Sequence, residues 1–94
     1  MISIWKYPVA PGRQTVEMPG GAELLSVQMQ GDQPTLWARV DDQAAKVGRI
    51  ISVVGTGHEA PHPKVPFIGT FQMGWMVWHV FDHGQQVHSQ GSGQ

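Results

Sequence analysis

A chain of 94 residues has room for one domain, and a domain that small buries only a modest share of its unfolded surface, so its core must draw on large side chains. Four Trp, three Phe and one Tyr supply them, against a charged fraction of only 14%. The absence of Cys excludes disulfides, Cys-ligated zinc or iron–sulfur clusters and thiol nucleophiles, and the net charge of −1, with Lys6, Arg13, Arg39, Lys46, Arg49 and Lys64 scattered along the chain, argues against a nucleic-acid partner.

The segment MISIWKYPVAPG opens the chain without a basic stretch leading into a long apolar run. No apolar stretch later approaches the ~20 residues of a membrane helix, so the expectation is a cytoplasmic protein without membrane contact. Turn residues fall at short intervals, at Pro8 to Gly12, Pro19-Gly20-Gly21, Gly31-Asp32, Pro61 to Pro66 and Gly84. Between them lie strand-like runs at Ile2 to Tyr7, Gln14 to Met18, Glu23 to Gln30, Thr35 to Val40, Arg49 to Val54, Phe67 to Met73 and Met76 to Asp82. About seven short strands with short links predict an all-β fold, a small antiparallel sandwich or barrel-like sheet.

The clearest hairpin joins LLSVQMQ to TLWARV through Gly31-Asp32-Gln33-Pro34. Its alternation predicts an inner row of Leu25, Val27 and Met29 facing Leu36, Ala38 and Val40, with Trp37, Arg39 and Asp41 outside. From Asp41 to Gly48 the chain has the caps for at most one helical turn, with a solvated loop as the alternative. IISVV and WMVWHVF carry apolar residues on both faces and are expected to be central or interface strands. Residues 1–86 form the single domain in this reading, and the polar, Gly-rich residues 87–94 a disordered tail.

Few residues suggest chemistry. Gly55-Thr56-Gly57-His58 has the composition of a backbone nest that cradles an anion or nucleotide, with His58 adding a donor. The simpler reading is a turn or bulge ending a strand, because no helix follows to add its N-terminal dipole. His58, Glu59 and His62 have zinc-ligand chemistry, but their spacing converges on a helix and Pro61 and Pro63 make this an extended loop, so no metal or other cofactor is expected. His79, between Val77 and Phe81, reads as a buried histidine bonded to a backbone carbonyl. No G-x-S-x-G element is present, the adjacent Asp41 and Asp42 alternate across a strand end, and the other carboxylates stand far apart in sequence, which points away from an enzyme. Trp37, Trp75 and Trp78, with Arg39, are candidates for a protein interface; the alternative is that the aromatic residues all lie inside.

The ordered segments IWKY, TVEMPGGAELLSVQMQ, PTLWARVD, VVGTGH, IGTFQ and VWHVF resemble those of a family of small uncharacterised bacteriophage and prophage proteins, a domain of unknown function. The resemblance runs through Phe81 and carries no catalytic residues. It implies a non-enzymatic accessory protein acting by protein–protein interaction in the host cytoplasm, on a host protein such as a defence component; the small Cys-free core and the two strands apolar on both faces add the expectation of a homo-oligomer. Alternatives are a protein that binds or sequesters a small anion or nucleotide, and a minor virion component.

Overall fold

The computed structural model describes residues 1–86 as seven antiparallel strands, and the tail expected from residue 87 lies outside them. In chain order these are β1 (Ile2–Pro8), β2 (Gly12–Pro19), β3 (Glu23–Gln30), β4 (Gln33–Asp41), β5 (Lys46–Gly55), β6 (Phe67–Met73) and β7 (Met76–Gln85). They form a three-stranded sheet of order β1-β4-β3 and a four-stranded sheet of order β2-β5-β7-β6, packed as the all-β sandwich that the turn spacing predicts. Each strand-like run became a strand, and most are longer than their apolar stretch. The helical turn allowed between Asp41 and Gly48 does not form: the Asp41 side chain accepts the Gln43 amide, its carbonyl accepts the Ala44 amide, and β5 begins at Lys46.

Between the sheets the core holds Val27, Leu36, Ala38 and Val40 from one side, and Met18, Ile51, Val53, Phe71 and Val80 from the other. The row expected on β3 is corrected at one place. The β3–β4 register shifts between Leu24 and Ser26, so Leu24 packs on the core and Leu25 is pushed out to 40% exposure. An extra residue in one strand reverses the facing of everything before it. A second bulge sits where Gly84 reads as a strand-ending turn. The β5–β7 register shifts between Ile50 and Ile51, Gly84 takes φ 91°, and β7 runs on to Gln85. The two strands apolar on both faces, β5 and β7, are the central pair of the larger sheet.

One charged pair lies on the inward rows. Arg49 of β5 donates to both carboxylate oxygens of Asp82 on β7, at 2.9 and 2.7 Å, and to the Ala22 carbonyl at 2.8 Å. It thereby ties the larger sheet to the segment that enters β3. Burial acts to raise the Asp82 pKa, but hydrogen bonds from Arg49 and the Gly84 amide, with the charges of Arg49 and His83, outweigh it and hold the carboxyl below its usual range.

The sandwich is closed along one side and open along the other. Edge strands β3 and β6 meet where Gly69 faces Val27, and a Cβ on Gly69 would stand 3.0 Å from Val27 Cγ1. Glycine is needed there because a neighbouring strand occupies the space. Among the described residues the remaining edges, β1 and β2, carry no further strand.

Candidate functional site

Three surfaces contain the residues that the sequence singles out. The first is the Gly55–His58 corner. His58 donates its amide to the Gly55 carbonyl at 3.0 Å, Gly57 has φ 90°, and the Thr56 amide donates to the Val77 carbonyl at 3.0 Å. Two of the amides that an anion nest would present are therefore held by carbonyls of the fold. The His58 ring lies in the notch over Gly55 beside Trp78: a Cβ at Gly55 would stand 3.1 Å from His58 Nδ1 and 3.3 Å from Trp78. His62 turns elsewhere, its Nδ1 accepting the Lys64 amide at 3.1 Å.

Thr56 also fixes His79. Its hydroxyl donates to the Val77 carbonyl at 3.2 Å and lies 2.7 Å from His79 Nε2, while His79 Nδ1 lies 3.0 Å from the Thr70 hydroxyl. A hydroxyl has one proton, so Nε2–H donates to Thr56 and Nδ1 accepts from Thr70, an assignment made by counting protons. His79 is thus half-buried between two threonine hydroxyls, where the sequence reading has it bonded to a backbone carbonyl. It buckles the β5–β6 connection to β6 across β7. Both ring nitrogens are thus hydrogen-bonded to hydroxyls of neighbouring segments.

Sequence reasoning missed a serine–histidine contact on the same sheet. Ser52 Oγ lies 2.7 Å from His83 Nε2, but Ser52 is only 8% exposed, and the oxygens of the adjacent Asp82 are taken by Arg49 and the Gly84 amide. A nucleophile needs access and its base needs an orienting group. The two residues are 31 apart in sequence, and nothing local marks them as partners.

The second surface is the outer face of the three-stranded sheet. Trp37 is half-buried there with the Lys6 ammonium 5.8 Å from its ring centroid, and Arg39 pairs with Glu23 at 2.9 Å with both side chains exposed. A hollow of about 250 Å³ opens beside them among Lys6, Pro8, Gln30, Gln33 and Thr35. Its polar groups satisfy one another: Lys6 Nζ donates to Gln30 Oε1, and Gln33 Nε2 donates to the Val9 and Pro34 carbonyls.

The third surface is the tip of the β6–β7 hairpin. Gly74, at φ 61°, and Trp75 form the two-residue turn between Met73 and Met76, leaving Trp75 99% exposed with Met76 41% exposed beside it. Glycine at the first turn position suits a tight hairpin. Trp78 differs from the other interface candidates. It lies opposite Phe71 and Gly55 on the inward row, packs on the core, and its buried Nε1 has no partner among the described residues.

Residues 1–91 match the family described as a domain of unknown function (DUF7352). The chain belongs to that family. No curated protein and no solved structure matches it. What this DUF7352 chain can do is therefore argued from its own surfaces. They offer one fully exposed aromatic at a hairpin tip, a half-buried Trp37 beside an exposed Arg39 on the other sheet, and His79 and His83 hydrogen-bonded to hydroxyls of the larger sheet.

Proposed function

We propose that the protein is a non-enzymatic phage or prophage accessory protein that works by protein–protein contact in the host cytoplasm, with a host protein, such as a defence component, as its target. The observation that carries this reading is Trp75, 99% exposed on a two-residue turn. A large ring there has few torsions to freeze on binding and buries its whole area only against a partner, which is the character of an interface anchor. The buried Ser52 beside His83, whose neighbouring Asp82 carboxylate is taken by Arg49 and the Gly84 amide, supports a role outside catalysis. The small-ligand alternative has less support, since the Thr56 and His58 amides are already bonded.

The test is affinity capture from host lysate with wild-type and Trp75→Ala baits in parallel. The expected result is a host protein held by the first and lost from the second. Recovery of the same proteins by both baits would refute the anchor.

A further inference from the structure

We propose that the protein forms a two-fold dimer by pairing β1 with β1 of a second copy, joining the two three-stranded sheets into one. The inference concerns a different surface from Trp75 and does not depend on the hairpin reading.

Of the four edge strands, β3 and β6 cover each other at Val27 and Gly69, and each has a register shift. The outward row of β2 is Arg13, Thr15 and Glu17, all exposed, and charge on an edge discourages pairing. Strand β1 differs in kind. It pairs with β4 without a shift, and its outward row begins with Ile2 and Ile4, 63% and 54% exposed. A long edge in unbroken register that exposes two isoleucines is a template for another strand.

The backbone directions define that strand. Val9 N–H donates to the Pro34 carbonyl and Asp42 N–H to the Met1 carbonyl, in the register that sets Ile2 opposite Asp41. Odd-numbered residues of β1 are therefore the hydrogen-bonded partners of β4, and the N–H and C=O groups of Ile2, Ile4 and Lys6 point to the open edge. A two-fold axis normal to the sheet keeps outward side chains on one face only if residues of equal parity oppose each other. With Ile4 opposite Ile4 of the second copy, and Ile2 opposite its Lys6, each opposed pair exchanges both of its hydrogen bonds. Pro8, which lacks an N–H, then falls outside the ladder. A shift one step further would set Pro8 against Ile2 and lose those donors.

Side chains agree with this register. The two Ile4 side chains meet on the axis. Lys6 is compatible with it, because its ammonium donates to Gln30 and lies over Trp37, so the charge is turned back over its own sheet and away from Ile2 of the second copy.

Sedimentation equilibrium up to about 0.3 mM tests the proposal. The wild-type chain is expected to dimerise. Ile4→Lys and Ile4→Asp, both at an exposed position, each set like charges on the axis and are expected to raise the dissociation constant by tenfold or more, about 1.4 kcal/mol. Mixing the two variants is expected to restore a dimer, which also shows that both are folded. Trp75→Ala should dimerise as wild type does. A wild-type monomer throughout, a dimer that persists in Ile4→Lys, or a mixture that stays monomeric would each overturn the proposal. Loss of the dimer in Trp75→Ala alone would move self-association to the hairpin tip.

Discussion

Replacing Arg49 by Met removes the guanidinium while keeping much of the side chain's apolar length, and it isolates what the inward ion pair does. Arg49 and Asp82 are 12% and 11% exposed, and the guanidinium donates to both carboxylate oxygens and to the Ala22 carbonyl. In Arg49→Met the carboxylate is left facing the core with the Gly84 amide, and the Ala22 carbonyl loses its side-chain donor. Removing one member of a buried pair costs about 3–5 kcal/mol, a large part of the ~5–15 kcal/mol that holds a small domain folded. With a urea slope of about 1 kcal/mol per molar for a chain of this size, the midpoint followed by tryptophan emission should fall by about 3 M or leave the variant unfolded. The double variant Arg49→Met/Asp82→Leu removes both charges and is expected to recover most of the loss, because the desolvation penalty goes with them. Acid gives a second reading. The Asp82 pKa is lower in the folded chain than its ordinary 3.8, so its stabilisation is complete above that value and is lost as pH falls through the folded pKa. The gap between wild type and Arg49→Met should therefore narrow in strong acid. A loss below about 1 kcal/mol at neutral pH, the range of exposed pairs, would refute the reasoning.

Gly69→Val would drive its side chain into Val27 of the facing edge, and overpacking of this kind costs about 1–3 kcal/mol, seen as a lowered thermal midpoint. Trp75→Ala should leave stability within about 0.5 kcal/mol, yet shift the emission maximum to the blue and reduce iodide quenching, since the most exposed indole is gone. Thr56→Val removes the hydroxyl between His79 and the Val77 carbonyl and should cost about 1 kcal/mol, a fall of about 4–8 °C in thermal midpoint. No change there would mean that the buckle across β7 contributes nothing to stability.

The seven strands were legible because a period of two and closely spaced Gly and Pro are local signals. The centrality of β5 and β7 was legible too, since a strand apolar on both faces has to be covered on both. The breaks in register were not. Leu25 looks like any inward residue of an alternating run, and only the β4 partner shows that the extra residue lies there. Gly84 read as a stop because glycine punctuates turns, whereas here its positive φ serves a bulge within a continuing strand. Of the residues marked for function, Trp75 lies at the fully exposed tip and Trp78 is turned inward, although both belong to one apolar run; Trp75 is part of the turn, whereas Trp78 lies within β7 on its inward row.

Composition and alternation by themselves determined an all-β domain, because local backbone preference and the facing of side chains along a strand are properties of neighbouring residues; the core itself is mostly aliphatic, with Phe71 its one buried aromatic ring among the described residues. Tertiary structure decided which edges meet and which stay open, which charges pair, and where an indole reaches water. Val27 with Gly69, Arg49 with Asp82 and Ser52 with His83 are brought together by sheet order, and no spacing along the chain encodes them.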